Sequence, residues 1–237
     1  MKDILISRCK FALLILTAWL TSCAVVEKSQ LQWRYDGSVF TPHAKIETGL
    51  DNAYYAFDTP QGLYLAGFKI DNKGINHPYL VFIGKQLSGQ IHWPQDRAVE
   101  QLFFYKKQLY LLDESGKTQV KAGQHWREHP LTFTANSKVI TSRQALIACV
   151  PTPLPSADYT RGHCYSPTKN WRRDIAWRSV TPALCNNILL AINDYPAPKS
   201  LHYIDIDTGK ILNRTSIPDN TSFPSLCDLP EKLTGQP

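Results

Sequence analysis

The 237-residue chain is poor in several things at once, and each shortage removes a class of protein. Met1 is the only methionine, so a chain that loses its first residues has no thioether for oxidants to attack, which suits an oxidising location. Outside residues 11–20 no apolar run approaches the ~20 residues of a membrane-spanning helix, which excludes a multi-span protein. Charged residues make up only 19% against 43% hydrophobic, which excludes a disordered tail. Glycine, at 12, is outnumbered by proline, at 16, and aromatics reach 11%, a balance that favours strands and turns. No stretch after the N-terminal segment holds an apolar 3.6-residue period over three turns. The best helix candidate is 99–109, interrupted by Lys106 and Lys107. Basic residues are scattered, Arg172-Arg173 and Lys106-Lys107 being pairs and not a face, so no nucleic-acid partner is expected.

Recognisable chemistry is scarce too. There is no Gly-x-Ser-x-Gly elbow, no His-Glu-x-x-His, no phosphate-cradling glycine loop and no Cys-x-x-Cys. His125 and His129 lie four apart, but Pro130 follows and the context reads as strand. There they would stand ~13 Å from one another, too far for one metal. Asp205 and Asp207 lack the further oxygen ligands of a calcium loop and read as turn and edge residues. No cofactor, no metal and no catalytic residue is expected, which tilts the reading from enzyme toward binding protein.

What is present begins at the N-terminus. Lys2, Arg8 and Lys10 face the single acid Asp3, and the apolar run at 11–20 is half the length of a span. That order is the order of a secretory signal. The run ends in Leu20-Thr21-Ser22-Cys23, which resembles the lipobox of bacterial lipoproteins. The resemblance implies a signal peptide at 1–22 and lipidation of Cys23; a lipidated tether at 23–30 then leads to 31–237, read from its strand pattern as a single all-β domain. Each buried acyl CH₂ contributes ~0.8 kcal/mol, so several chains on one residue hold a domain at a bilayer permanently. Ala24 stands where an aspartate would imply retention at the inner membrane, so the expected address is the periplasmic face of the outer membrane. Eight residues from Cys23 to Leu31 reach at most ~26 Å, which keeps the domain against the membrane surface. Cleavage takes three basic residues and one acid from a formal charge of +6, leaving +4.

Cysteine usage agrees with export. Cys9 leaves with the signal and Cys23 is spent on lipid, leaving Cys149, Cys164, Cys185 and Cys227. In an oxidising compartment these suggest two disulfides with three possible connectivities, of which sequential pairing, Cys149–Cys164 and Cys185–Cys227, is expected. No pair has the spacing of a zinc knuckle.

A loose repeat organises the rest. Four apolar segments beginning at Gly62, Gln108, Ala145 and Asn187 recur, their second residues 46, 37 and 42 positions apart. Bounded by turn residues, they read as strands buried on both faces. Turn chemistry follows at 71–74, 113–116 and 207–209, while the third unit has a longer proline-rich loop at 151–161. Trp93, Trp126 and Trp171 close the first three units. A period near 40 with several short strands per unit predicts an all-β, β-propeller-like fold of four to five short blades, with a β-sandwich or irregular meander as the alternative. Trp33 and its flanks are candidates for an outer strand completing the last blade, and 34–60 for a fifth, degraded blade. In this scheme Cys149 and Cys164 lie on neighbouring strands, and Cys227 pins the C-terminal tail to the last blade.

Two family resemblances bear on function. The lipobox, short tether, all-β body, four cysteines and the stretches Trp33-Arg34-Tyr35-Asp36 and Tyr55-Ala56-Phe57-Asp58-Thr59 together resemble the lipoprotein immunity proteins paired with type VI secretion phospholipase effectors. That resemblance implies a non-enzymatic protein that binds and neutralises a toxin, with the membrane as its second partner. The segment from Tyr203 to Leu212, with Asp205-Ile206-Asp207-Thr208-Gly209-Lys210, is similar to one repeat of the PQQ-type propellers used by outer-membrane assembly lipoproteins, which would imply a scaffold. A periplasmic hydrolase is the third expectation, supported only by the ring of loops.

Overall fold

In a computed structural model the protein is all-β, with five small antiparallel sheets following one another along the chain. The structure describes residues 31–41, 44–85, 89–142, 144–152, 162–177, 180–193, 198–217 and 226–228. The signal segment 1–22, Cys23 and the tether 23–30 lie outside them, as do 153–161 of the proline-rich loop and 229–237.

The first sheet has three strands, β1 (Gln32–Trp33), β2 (Ser38–Phe40) and β3 (Lys45–Glu47). The second comprises β4 (Asn52–Thr59), β5 (Gly62–Ile70), β6 (Asn76–Gly84) and β7 (Gln90–Pro94). The third comprises β8 (Val99–Tyr105), β9 (Gln108–Asp113), β10 (Lys117–Ala122) and β11 (His125–Thr132). β12 (Lys138–Thr141), β13 (Leu146–Val150), β14 (His163–Ser166) and β15 (Trp171–Asp174) make the fourth. β16 (Ala183–Cys185), β17 (Ile188–Asn193), β18 (Ser200–Asp205) and β19 (Ile211–Ser216) make the fifth. In every sheet the strands lie in chain order, so each is a simple meander. The first strands of consecutive four-stranded sheets are neighbours, β4 beside β8, β8 beside β12 and β12 beside β16, which is the packing of propeller blades.

The four apolar segments are the second strands β5, β9, β13 and β17, and the reason they are apolar throughout is visible in the packing. Side chains alternate across a strand. Leu63 and Leu65 of β5 point into a core shared with the first sheet, and Tyr64 and Ala66 into one shared with the third. On β9, Leu109 and Leu111 face back toward the second sheet, and Tyr110 and Leu112 forward toward the fourth. β13 and β17 repeat the scheme, Ile147 and Leu189 meeting in the core between the fourth and fifth sheets. Every central strand is thus wetted on neither face.

Two expectations are corrected. Residues 99–109 form no helix: they are β8, the turn Lys106-Lys107 and the start of β9, because Val99, Leu102, Phe103 and Tyr105 are buried in two different cores and a strand serves both faces. Trp33 does not complete the last sheet, which has four strands of its own. It sits on β1, opposite Val39 of β2. The degraded fifth blade is therefore 32–47, and 52–59 belongs to the next sheet as β4, paired along its length with β5.

Polar bonds tie neighbouring sheets. The Gln101 carboxamide both accepts from the Val139 N–H at 2.8 Å and donates to the Val139 carbonyl at 2.7 Å. The hydroxyls of Tyr54 and Tyr55 accept from the N–H groups of Val99 and Leu102. Trp93 donates its indole N–H to the Gln124 carbonyl, and Trp171 to that of Ile206, each reaching a turn of the following sheet at 2.8 Å. Two of the tryptophans that close units in the sequence are therefore latches between blades.

Cys149 on β13 and Cys164 on β14 are directly opposite partners, Cα atoms 4.0 Å apart, and their disulfide is wholly buried. Cys185 at the end of β16 is joined to Cys227, Cα to Cα 5.4 Å, in a short 3₁₀ turn at Leu226–Asp228. Leu226 packs there against Leu190, Ile192, Leu201 and Ile217. Among the described residues no apolar core joins the fifth sheet to the first; the outer face of the fifth is covered by this C-terminal turn.

His202 of β18 adds a pH-dependent element. Its ring is buried, Nδ1 has no hydrogen-bond partner, and Nε2 lies 3.0 Å from the Ser200 hydroxyl. Burial, reinforced by the Arg214 charge, lowers its pKa from 6.5 to about 4. The folded protein holds this group neutral while the unfolded chain protonates it below pH 6.5, so the stability it contributes is present above 6.5 and is lost as pH falls toward 4. Urea unfolding at pH 7 and pH 4.5 should show wild type losing on the order of 2 kcal/mol more than His202→Gln. Equal losses would show that His202 does not set this slope.

Candidate functional site, a lysine-rimmed groove

Antiparallel meanders send their turns alternately to two ends of the molecule. At one end the connections are tight: Pro60-Gln61, Lys106-Lys107, Gly123-Gln124 and Asn186-Asn187. At the other they include the crossing from Val150 to His163. The tight end is basic. Lys85, Lys106, Lys107, Lys121, Lys169 and Lys210 lie there against Asp58, Asp205 and Asp207. Of these acids Asp205 is engaged by the N–H and hydroxyl of Thr208, and Asp207 pairs with Lys169 at 2.9 Å. The chain also enters β1 at this end. The turn after β1 lies at the opposite end, where the Ala53 N–H at the start of β4 donates to the Tyr35 carbonyl.

Between the second and third sheets the tight end opens into a groove of about 410 Å³. Tyr64, Phe82, Ile91, Phe104 and Leu109 form its apolar lining, and Lys107 and Lys121 stand on it as the charged groups. The strands explain the lining. Tyr64 and Phe82 are cross-strand partners on β5 and β6, and Phe82 faces Ile91 on β7. Phe104, next to the end of β8, is 41% exposed, its ring 5.9 Å from that of Phe57.

Tyr64 is the most informative residue. Its ring lies 4.7 Å from Phe82, stacks on Trp93 at 6.3 Å and meets Trp126 edge-on at 6.4 Å. The residue is 95% buried, and burial pushes the hydroxyl pKa up to about 12. Among the described residues that hydroxyl has no hydrogen-bond partner. Behind it the Trp126 indole N–H is buried without a partner, because Trp126 packs back against Trp93 and Tyr64 and makes no latch to the next sheet. A buried donor without a partner, as the Trp126 N–H is, is uncommon and costs about 1–3 kcal/mol.

The rim has its own tension. Lys106 and Lys107 occupy a two-residue hairpin turn with φ of 47° and 64°. The equivalent turn of the fifth sheet uses Asn186 and Asn187, at 49° and 64°, and asparagine adopts that left-handed region at lower cost than lysine. Lys106 Nζ lies 5.4 Å over the Tyr105 ring. Lys121 lies 5.7 Å over Trp93, donates to the Gly123 carbonyl, and has its pKa lowered by burial. Neither Lys107 nor Lys121 has a carboxylate partner among the described residues.

The residues singled out in the sequence are placed elsewhere. Cys149, Cys164, Cys185 and Cys227 are structural bridges around the fourth and fifth sheets. His125 and His129 both lie on β11; His129 Nδ1 accepts from the Leu131 N–H and its ring stands edge-on to Tyr110. Among the described residues no cluster of three His, Cys, Asp or Glu side chains is placed to hold a metal. Asp205 organises its own turn. The sequence offered one clue to the groove, two adjacent lysines at a turn beside aromatic strands. It could not show that the turn overhangs Tyr64, 43 residues earlier.

Two further recesses are more polar. One of about 250 Å³ on the third sheet gathers Asp96, Arg97, Lys117, Glu128 and His129, charges of both signs. Another of about 400 Å³ is lined by His163, Tyr165 and Arg172, with the Ser166 hydroxyl committed to the Leu146 carbonyl.

No family model and no curated protein matches this chain. Among solved structures, the crystal structure of the computationally designed Ika8 protein is similar over 80% of this chain and 74% of that chain, with 11% identity and a TM-score of 0.41.

Proposed function

We propose that this is a lipid-anchored protein of the bacterial envelope that grips a protein partner, with neutralisation of an incoming toxin as its task. The groove between the second and third sheets carries the reading. It combines aromatic anchors, an exposed apolar ring and two lysines with no carboxylate partner among the described residues, on a sheet scaffold, the makings of a contact site for another protein. The lipobox at Cys23 supports the address, on the periplasmic face of the outer membrane, and two disulfides suit an oxidising compartment. Type VI secretion immunity lipoproteins, which the sequence layout resembles, work by binding and not by turnover. On this reading the protein needs no cofactor.

The test is capture of the full lipidated chain, solubilised from envelopes of cells that also express its neighbouring genes. Recovery of one secreted effector, together with survival of cells that carry both genes, is the expected result. Recovery of outer-membrane assembly proteins in its place would favour the scaffold reading. That second reading has a specific observation on its side. The Asp205–Lys210 turn is built as a blade-joining element, with Thr208 bound to Asp205 and Trp171 of the preceding sheet seated against Gly209.

A further inference from the structure

We propose that the groove receives an acidic segment of the partner, one bulky apolar side chain entering between Tyr64 and Phe104 with carboxylates beside it. The inference rests on the protein-binding reading above and adds the partner's chemistry. Three independent features converge on it. The lining around Tyr64, Phe82, Ile91 and Phe104 is aromatic and apolar, shaped for a ring or a branched aliphatic group. Tyr64 is 95% buried as a residue and lines the groove, and its hydroxyl makes no hydrogen bond to the described residues, so an occupant with an oxygen acceptor can engage it in place of water. The two lysines that line the groove, Lys107 and Lys121, have no carboxylate partner among the described residues, Lys121 resting on the Gly123 carbonyl and the Trp93 ring, and Lys107 is held on a turn whose backbone disfavours lysine. A fold indifferent to charge there would use the asparagines of its own fifth sheet. Strain retained at an exposed turn points to a role for the side chain that sits there.

A lipid occupant fits less well. An acyl chain lying against the lining would strip water from the Tyr64 hydroxyl and supply no acceptor, whereas a peptide supplies carbonyl and carboxylate oxygens alongside its apolar side chain.

The experiment uses the secreted full chain with Cys23→Ser, so that it is recovered in solution, and a displayed library of random 12-residue peptides as the probe. Enriched sequences should carry Asp or Glu flanking Trp, Phe, Tyr or Leu, and their binding should weaken steeply between 50 and 300 mM salt. The double variant Lys107→Glu and Lys121→Glu should bind them at least tenfold more weakly, and Tyr64→Phe about three- to tenfold. Lys106→Asn with Lys107→Gly suits the turn better, so it should unfold at higher temperature yet lose affinity; this separates a binding defect from a folding one. No enrichment, enrichment of neutral or basic peptides, or full binding by the double variant would overturn the proposal. So would Lys107-dependent binding to phosphatidylglycerol vesicles with no peptide selected. If a protein partner is captured equally well by the Lys107→Glu, Lys121→Glu chain, this inference fails while the protein-binding reading stands.

Discussion

Trp171→Ala should destabilise the protein by about 3–5 kcal/mol, the range for deleting a packed tryptophan, and urea unfolding monitored by circular dichroism should read it directly. The indole of Trp171 is packed against the core shared by the fourth and fifth sheets and donates its N–H to the Ile206 carbonyl. It also fills the space where Gly209 has no side chain: a Cβ built there would stand 2.6 Å from Trp171 Cδ2. Gly209 has φ of +66°, so its turn closes on the ring through a conformation that other residues resist. Three losses therefore coincide in the alanine variant, namely buried ring area, a hydrogen bond and the lid over a tight turn. Trp171→Phe should recover part of the area but not the bond. Gly209→Ala should destabilise from the other side of the same contact, and the double variant Trp171→Ala, Gly209→Ala should fall short of the sum, because both changes damage one interface. Additive effects would mean that ring and turn do not act together.

Ending the chain at Ile217 is the second large perturbation. It removes the crosslink between Cys185 and Cys227, which closes a loop of sequence separation 42. Chain-entropy arithmetic gives such a loop about 4 kcal/mol. It also strips Leu226, 4% exposed, from Leu190, Ile192 and Leu201. Deletion of a buried leucine side chain adds about 2–5 kcal/mol. A domain with typical total stability of about 5–15 kcal/mol comes close to unfolding under that load. The truncated chain should show a lowered melting temperature or none, with strong binding of a hydrophobic dye. Leu226→Ala and Cys227→Ala in the full chain divide the effect between cover and crosslink. A truncated chain that melts as wild type would show that the fifth sheet needs no cover.

The parts of the fold that could be read from the sequence are those where one physical demand acts alone. β5, β9, β13 and β17 are apolar on both faces because each lies between two cores, and no surface requirement blurs them. β4 was harder to see. Residues 52–59 mix buried, half-buried and exposed positions, and their strand character comes from pairing with β5, which is not a local property. β1 illustrates the same limit, since nothing in Gln32-Trp33 says which sheet will take it. The groove was hidden for a different reason. Tyr64, Phe104 and Lys121 come from three strands of two sheets, and only the meander topology brings them to one end of the molecule. The aromatic residues near Lys106 and Lys107 were legible as strand formers, but the side on which they would be left uncovered was not.

The bridge between Cys149 and Cys164 has a consequence for how the molecule is made. Both residues are fully enclosed where the fourth and fifth sheets meet, beside Ile147, Leu189 and Ile204. Once those layers close, no oxidant, reductant or isomerase of protein size can reach the sulfurs. The bond must be forged while residues 183–216 are still undocked, and the last quarter of the chain then seals it. Maturation accordingly has a built-in sequence, oxidation before closure, and a molecule that closes with free thiols has to reopen before it can be repaired.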